Sequence, residues 1–258
     1  DKPRLWRLKK SSALVVNYGL KSEGSAIIYN RLKDKQFIFP ILTSIARTNI
    51  KETKTIGKGI KDYIFSYKQF SKIGDIFVIN LSCPNTLEGE PFQKKENLEK
   101  LLKELRKIKT KKPLFLKISP DLPGKNIDEI ILISRKYKVA GFICTNLTKD
   151  RLNIKIKDEN IPEKGGISGK PVEELSNNLI KKIYKKTKGE FIIIGVGGIF
   201  SAEDAYKKIK LGASLVSLIT GMIFEGPQLI SEINRNLVIL LKKDGFSNIS
   251  QAIGIDAV

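Results

Sequence analysis

The sequence predicts an α/β fold of the (β/α)8, or TIM-barrel, type, and three observations support this prediction. The chain has 258 residues, the length of one such barrel. Hydrophobic residues make up 41% of it, which is enough for a sizeable core. Short β-branched runs alternate with amphipathic helical patterns from about residue 37 to the end, as in a parallel sheet wrapped by helices. We therefore expect one large domain over residues 1–258.

Six strands are expected in this part of the chain, whereas a complete barrel has eight. They are expected at residues 37–42, 76–81, 114–118, 141–145, 191–196 and 215–220. Apolar residues three or four positions apart, such as Leu98, Leu101 and Leu105, indicate the helices between them. Ser201 is expected to cap the helix after the fifth strand.

The first 20 residues show a different pattern. Residues 5–8 and 13–16 are typical of two short strands with a brief connection. They predict a hairpin-like segment over residues 1–20 that decorates the barrel. Residues 155–170, rich in Gly and Lys, are expected to form the longest loop, and long loops in compact domains are usually functional or mobile.

The chain is strongly basic, with 47 Lys and Arg against 27 Asp and Glu and a formal net charge of +20. Such a charge fits nucleic acid, an anionic membrane surface or acidic substrates as partners. The lysines are spread over every segment, and no aromatic residues are interleaved with them to stack bases. We therefore expect a solvated, lysine-rich surface and no nucleic-acid partner.

Composition excludes several classes of site. The chain contains no His, so His-based metal sites, Ser-His-Asp triads and Cys-His dyads are excluded from it, and no metal is expected. Its two cysteines do not make a disulfide framework, which fits a reducing cytoplasm. No run of residues approaches the apolar length of a membrane span, and no signal peptide is visible.

The expected strands end in polar residues, and barrel enzymes build their sites at these carboxyl ends. Gly197 and Gly198 precede the capped helix, and Thr220 and Gly221 follow the next strand. This is the layout of a barrel phosphate site, formed from backbone N–H groups and a helix N-terminus. The alternative is a pair of tight turns that need glycine. We expect a phosphate-bearing cofactor.

Lys117 lies within an otherwise apolar strand, where a buried ammonium needs a negative charge such as a flavin or phosphate. Alternatively, its amine reaches solvent. Asn80, Asn85 and Asn146 follow strands and favour a planar, amide-rich ligand, although turns and caps are the commonest use of Asn.

Cys83 follows a strand and precedes a proline, so its sulfur is expected to face the site, whereas Cys144 is expected in the core. The alternative for Cys83 is inert packing. Because no His is present to activate a nucleophile, action as a base towards a bound substrate is favoured.

Seven collinear segments make the chain similar to dihydroorotate dehydrogenases, especially the quinone-linked class, from Pro3 almost to the C-terminus. They are residues 3–8, 80–86, 145–151, 165–171, 194–199, 212–216 and 224–227.

The resemblance implies an FMN-dependent oxidation of dihydroorotate to orotate in pyrimidine (UMP) biosynthesis. Cys83 falls where the family places its base, which takes a proton from C5 of dihydroorotate while C6 gives hydride to the flavin. Lys117 matches a lysine that stabilises the reduced flavin ring. The expected substrate contacts are Asn17, Asn80, Asn85 and Asn146. The expected FMN contacts are Ser44, Asn80, Lys117, Thr145, Ser168, Gly169, Gly197, Gly198, Ile219 and Thr220.

Three positions depart from the family pattern. The quinone-linked class normally has Ser at position 83, whereas Cys is usual in the classes that pass electrons to fumarate or NAD. Quinone is the expected acceptor by overall similarity, and fumarate and NAD stay open. Leu147 stands where a substrate-binding Thr is usual. Val16 stands where a substrate-binding Asn is usual, with Asn17 one position out of register.

The family barrel also has two strands before the segment that matches Pro3. The chain is therefore expected to be a piece of a longer product, with residues 37–258 carrying barrel units three to eight. We expect a cytoplasmic protein, with peripheral contact at the inner face of the cell membrane left open, as is the oligomeric state.

Two other functions remain as alternatives. One is a different FMN barrel reductase, of the dihydropyrimidine dehydrogenase or tRNA-dihydrouridine synthase kind. The other is a non-catalytic basic barrel that binds RNA or anionic lipid, whose binding would fall steeply with salt.

Overall fold

The computed structural model describes residues 3–82, 90–153 and 155–257. The chain divides into two compact units. The first unit comprises Asp1–Asn17, Ser119–Asp121 and Gly141–Val258, and the second comprises Tyr18–Ile118 and Leu122–Ala140. The prediction of one domain over residues 1–258 stays a prediction.

Strands and helices alternate along most of the described chain. The strands are β1 (Leu5–Leu8), β2 (Ala13–Val16), β3 (Leu42–Ile45), β4 (Ile76–Asn80), β5 (Leu114–Ile118), β6 (Gly141–Cys144), β7 (Gly166–Gly169), β8 (Ile192–Val196) and β9 (Leu215–Ser217). The helices are α1 (Ser25–Leu32), α2 (Ile56–Gln69), α3 (Lys95–Leu105), α4 (Gly124–Lys136), α5 (Glu173–Thr187), α6 (Ala202–Lys210), α7 (Thr220–Glu225) and α8 (Leu229–Lys243). Among the described residues, none of the helices has the length and apolar character needed to cross a membrane.

In the second unit, β3, β4 and β5 are parallel neighbours, and α2, α3 and α4 follow them in turn. The ring of Tyr67 on α2 stacks on Phe77 of β4, with centroids 4.0 Å apart. The predicted stripe of α3 is buried, since Leu98, Leu101 and Leu105 are at most 1% exposed. Each buried leucine contributes about 1.5–3 kcal/mol, so this packing holds α3 on the sheet.

The strand predicted at residues 37–42 is wrong, because pairing begins only at Leu42. Pro40 cannot donate a ladder hydrogen bond, and Ile38 before it is fully exposed. The chain enters the sheet at Ile41, whose N–H donates to an Asp75 carboxylate oxygen at 2.8 Å. The Asp75 N–H in turn donates to the Ile41 carbonyl at 2.8 Å. These two hydrogen bonds between Ile41 and Asp75 therefore set the start of β3. The hydrophobic residues at 37–41 lie before the strand.

In the first unit, β6, β8 and β9 are parallel neighbours. They begin within one residue of the predicted starts; β8 ends at the predicted residue, β6 ends one residue early and β9 ends three residues early. Ile199 and Ala205 pack with Leu229 and Ile233, which joins α6 to α8. The alternation of parallel strands and helices that the sequence predicts is therefore present in both units.

The predicted hairpin of β1 and β2 is confirmed at its predicted bounds. β7 adds to β2 as a third antiparallel strand, with Ile167 opposite Val15. It lies within residues 155–170, which the sequence predicts as loop. Glycines at both ends of β7 weaken the strand signal. Its burial comes from the hairpin, because Ile167 packs against Leu8 and Ala13.

Asp158 ties the hairpin turn to the segment that leads to β7. Its carboxylate accepts hydrogen bonds from the Lys10 N–H at 3.2 Å, the Ser11 N–H at 2.7 Å and the Ser11 hydroxyl at 2.5 Å. Burial alone would raise the pKa of Asp158, but the hydrogen bonds from Ser11 and Lys10 outweigh it and lower the pKa. The ionised carboxylate is therefore the form that stabilises the fold.

We predict that Asp158→Asn lowers the free energy of unfolding by about 1–2 kcal/mol at neutral pH, because charge-assisted hydrogen bonds are lost. A lowered folded-state pKa means that this contribution is present above about pH 4 and is lost as the pH falls further. Urea unfolding of the wild-type and Asp158→Asn proteins at neutral and acidic pH measures this difference in the free energy of unfolding. Glu159→Gln is the matched control, since Glu159 is 86% exposed at 3.9 Å from Lys10, and it should change little. An equal loss for both variants would contradict the anchoring role.

Candidate functional site

The loop after β8 turns the chain sharply at Gly197 and Gly198, whose φ angles are +118° and +72°. A side chain at Gly197 would meet Val172 Cγ1 at 3.0 Å, and one at Gly198 would meet the Glu173 Cα at 2.7 Å. Both positions therefore need glycine. The loop therefore passes directly beside the N-terminus of α5.

Charged side chains fix the segment that follows this loop. Ser201 caps α6 as predicted, because its hydroxyl accepts a hydrogen bond from the Asp204 N–H at 3.3 Å. Asp204 accepts from the Phe200 N–H at 2.8 Å, and its other oxygen lies 2.7 Å from the Lys170 amine. Lys170 also lies 3.3 Å from Glu173. The start of α6 is therefore tied to the start of α5.

Thr220 and Ser168, two of the predicted cofactor residues, lie together. The Thr220 hydroxyl donates to the Ser168 hydroxyl at 2.8 Å. Thr220 begins α7, so the N–H groups of its first turn have no partner within the helix. Ile219, just before it, is 61% exposed. Gly169, next to Ser168, is packed against Ser12.

The donors at the ends of β8 and β9 fit the phosphate end of FMN. β8 and β9 are parallel neighbours, with Val196 opposite Ser217. The N–H groups after both strands and the Ser168 and Thr220 hydroxyls suit an anion, which backbone amides and hydroxyls bind well. The first unit therefore offers a set of phosphate-type donors.

Thr145 and Asn146 form the end of β6. The Thr145 N–H donates to the Val196 carbonyl at 2.9 Å, and its hydroxyl donates to the Asn146 carbonyl at 3.0 Å. The Asn146 side-chain oxygen accepts from the Leu147 N–H at 2.9 Å. Thr145 is 1% exposed, so its position is set by packing as well as by hydrogen bonds.

In the second unit, the predicted residues Asn80 and Lys117 are direct neighbours on β4 and β5. The Asn80 side-chain oxygen accepts from the Ser82 N–H at 3.2 Å, and its carbonyl accepts from the Tyr63 hydroxyl at 2.9 Å. The Lys117 carbonyl accepts from the Leu81 N–H at 3.1 Å and the Ser82 hydroxyl at 3.0 Å. Lys117 itself is half-buried. The side chain of Asn80 therefore forms a turn, which was the alternative to ligand binding in the sequence analysis. This turn lies beside Lys117.

Ser44 and Asn17 lie elsewhere within their units. Ser44 is exposed on β3 and lines a cavity of about 740 Å³ with residues of α1 and α2. Asn17 follows β2 and donates its N–H to the Arg4 carbonyl at 2.8 Å. Because it continues the ladder, its side chain points to the face opposite that of Val16. The ligand contacts predicted for Ser44 and Asn17 stay predictions.

The predicted residues Cys83 and Asn85 lie outside the described residues. The other cysteine, Cys144, is in the core as predicted, with 0% of its surface exposed. Burial strongly raises the pKa of its thiol, so it is held as a neutral, unreactive thiol.

Sequence reasoning missed a buried polar cluster formed by Lys208, Ser176 and Asn177. Lys208 is 0% exposed, and its amine donates to the Ser176 hydroxyl at 3.1 Å and the Asn177 side-chain oxygen at 2.8 Å. A signal was present, because Lys208 falls on the same face of α6 as the buried Ala205 and Ile209. A lysine on an apolar stripe indicates a buried amine.

Comparisons with known proteins point to one family. A family model described as "Dihydroorotate dehydrogenase" matches residues 1–241. The "Dihydroorotate dehydrogenase (quinone)" of Trichodesmium erythraeum is 38% identical over 98% of this chain and 69% of that protein. The protein of the same name from Haloarcula marismortui is 36% identical over 99% of this chain and 71% of its own length.

Solved structures agree with the sequence matches. The crystal structure of the dihydroorotate dehydrogenase of Eimeria tenella in complex with ferulenol superposes with a TM-score of 0.90 at 28% identity. The superposition covers 99% of this chain and 75% of the Eimeria tenella chain. Dihydroorotate dehydrogenases are TIM barrels, so the predicted fold class is confirmed. These matches favour this family over the other flavin barrels and over a non-catalytic basic barrel.

We predict that Gly198→Ala lowers the free energy of unfolding by at least about 2 kcal/mol, because it adds left-handed backbone strain to a clash with Glu173. Urea unfolding measures this loss. The control is Gly57→Ala in α2, where, apart from the adjoining backbone of its own helix, no atom of the described residues lies within 4 Å of the added methyl group. That variant should gain up to about 1 kcal/mol of helix propensity. A Gly198→Ala protein as stable as wild type would show that the turn does not need glycine.

Proposed function

Because the chain belongs to the dihydroorotate dehydrogenase family, we propose that it oxidises (S)-dihydroorotate to orotate with bound FMN. Members of this family are FMN-dependent oxidoreductases of pyrimidine biosynthesis. The observation that carries the proposal is the family match over residues 1–241, to which the phosphate-type donors of the first unit add a structural reason.

In this proposal, the flavin is held by the residues predicted in the sequence analysis as its contacts. The backbone at Gly197 and Gly198 and the hydroxyls of Ser168 and Thr220 bind its phosphate. By resemblance, Ser44, Asn80, Lys117, Thr145, Gly169 and Ile219 contact the rest of the cofactor. When bound, FMN accepts the hydride from C6 of the substrate. The Lys117 ammonium supplies positive charge where negative charge develops during reduction.

Cys83 is proposed as the base that removes the C5 proton. The resemblance supports this role, and the structure adds that the only other thiol of the chain, Cys144, is sealed in the core. A thiolate is the form that accepts a proton, so the rate of flavin reduction should rise with pH as Cys83 ionises.

The substrate is proposed to bind through asparagine amides, which can donate to carbonyl oxygens of the pyrimidine ring and accept from its N–H groups. These residues are Asn17, Asn80, Asn85 and Asn146. Leu147 lacks the hydroxyl of the Thr that is usual in the family, so one polar contact is replaced by an apolar one.

Quinone is the proposed electron acceptor, because the relatives with 36–38% identity are named as quinone enzymes. The cysteine at position 83 is instead the residue usual in the classes that pass electrons to fumarate or NAD. A quinone acceptor would place the reaction at the inner face of the cell membrane, in contact with a cytoplasmic substrate pool.

We predict that anaerobic addition of dihydroorotate to the yellow FMN-loaded protein bleaches its visible absorption. Cys83→Ala should keep bound FMN but reduce it about 10²–10⁴-fold more slowly, the range lost with a general base. Cys83→Ser should shift the pH profile of reduction upward, because a hydroxyl ionises at higher pH than a thiol. Stopped-flow absorbance measures the rate of flavin reduction in all three proteins.

Reoxidation of the reduced wild-type protein with quinone, fumarate and NAD in parallel then identifies the electron acceptor. We expect quinone to reoxidise the flavin fastest.

The control is Lys111→Met, an exposed lysine that precedes β5, which should reduce its flavin at the wild-type rate. A folded wild-type protein that binds no flavin would refute the proposed function. Unchanged reduction in Cys83→Ala would refute the base role alone.

A further inference from the structure

Lys208 places an amine inside the first unit at a position where the fold could hold an apolar side chain. The residue is 0% exposed, and its amine meets the Ser176 hydroxyl and the Asn177 side-chain oxygen rather than solvent. Among the described residues, no ion pair within 4.0 Å includes Lys208. The amine is therefore held by neutral acceptors.

The hydrogen bonds of Lys208 continue to the end of β6. The Lys208 amine donates to the Ser176 hydroxyl at 3.1 Å, and this hydroxyl donates to the Cys144 carbonyl at 3.1 Å. The next residue, Thr145, donates its N–H to the Val196 carbonyl at 2.9 Å. The backbone on both sides of the Cys144–Thr145 peptide is thus fixed, and Asn146 follows directly.

The neighbouring strand leaves room for the lysine. A methyl group on Gly195 of β8 would lie 3.2 Å from Lys208 Cδ and 3.1 Å from Ile180 Cδ1. The aliphatic part of Lys208 therefore passes over a strand position that has no side chain. This packing directs the amine to Ser176.

Burial of the amine opposes its charged form. It lowers the pKa of Lys208 to about 7, although Glu173, Asp204 and Glu174 act in the opposite direction and Lys170 acts with it. The charge of Lys208 in turn acts to lower the pKa of the buried Cys144 thiol, against the larger effect of burial. A methionine has nearly the same length and would fill the space without this cost. Packing alone therefore does not require an amine here.

We propose that Lys208 is a positioning residue for the strand end that carries Thr145 and Asn146, acting through Ser176 on the Cys144 carbonyl. The inference rests on the proposed function, because it gives Lys208 and Ser176 an indirect role in binding dihydroorotate through the strand end that they hold. The ammonium form polarises the Ser176 hydroxyl more strongly, so the strand end is held best at lower pH.

The test compares Lys208→Met, Ser176→Ala and the double variant with the wild-type FMN-loaded protein. Each single variant should raise KM for dihydroorotate about tenfold, the effect of losing one charge-assisted hydrogen bond, with little change in kcat. The double variant should be no worse than either single one, because both interrupt one chain of hydrogen bonds. Wild-type KM should rise as the pH passes through about 7, and Lys208→Met should lack this step.

Amide hydrogen exchange gives a readout that does not depend on activity. Peptides spanning residues 141–147 should exchange at least about tenfold faster in Lys208→Met, while β8 and α8 keep their wild-type rates. Lys207→Met is the matched control on the same helix, because the Lys207 amine is half-exposed and pairs with Glu174 at 2.9 Å. It should match wild type in exchange and in KM.

The inference would be overturned if Lys208→Met and Ser176→Ala both had the same KM as the wild-type protein. It would also be overturned if KM changed without faster amide exchange at residues 141–147. If Lys208→Met does not fold, Ser176→Ala decides alone, since it removes a single oxygen atom. If dihydroorotate does not reduce the wild-type flavin, the proposed function fails, while hydrogen exchange still decides whether Lys208 holds this strand end.

Discussion

The sharp turn at Gly197 and Gly198 is the constraint on which the rest of the first unit depends. Positive φ angles and contact with Val172 and Glu173 leave no room for side chains at either glycine. The chain therefore leaves β8 in close contact with the start of α5. That geometry lets Ser201 cap α6 and lets Asp204 reach both Phe200 and Lys170. The parallel pairing of β8 with β9 then brings the chain ends after both strands to the same edge of the sheet.

Hydrogen-bonded polar groups in the interior set the other strand ends. Lys208 and Ser176 act on the end of β6, and Asn80 and Ser82 form the turn after β4. Such groups are costly to bury unless they are paired, and each pairing restricts the backbone to one arrangement. Strand ends held in this way can carry a ligand-binding residue in a defined position without help from the ligand.

Much of the fold followed from local sequence pattern. The hairpin, β5 and the stripe of α3 were predicted because short, mainly apolar runs and regular apolar spacing dominate there. β3 was misplaced because its start depends on Asp75, a residue more than 30 positions away along the chain. β7 was missed because its strand character comes from pairing with β2. Long-range contacts of this kind leave no local signal.

The candidate site was predictable to different degrees. The glycines and Thr220 could be identified from residue type and position, and the structure pairs Thr220 with Ser168. Cys83, Asn85 and Lys117 were also singled out by residue type and position at the strand ends, and the family resemblance adds the specific roles predicted for them. Lys208 was overlooked because a lysine in a helix is ordinarily read as exposed, and only its spacing from Ala205 and Ile209 showed otherwise.

The most direct test of the phosphate-binding role of these strand ends is a titration of the flavin-free protein with FMN and with riboflavin, followed by flavin fluorescence. Riboflavin lacks only the phosphate. If backbone amides after β8 and β9 bind that group, riboflavin should bind at least about 100-fold more weakly, or about 2.7 kcal/mol. Equal affinities for the two flavins would contradict the assignment of this site.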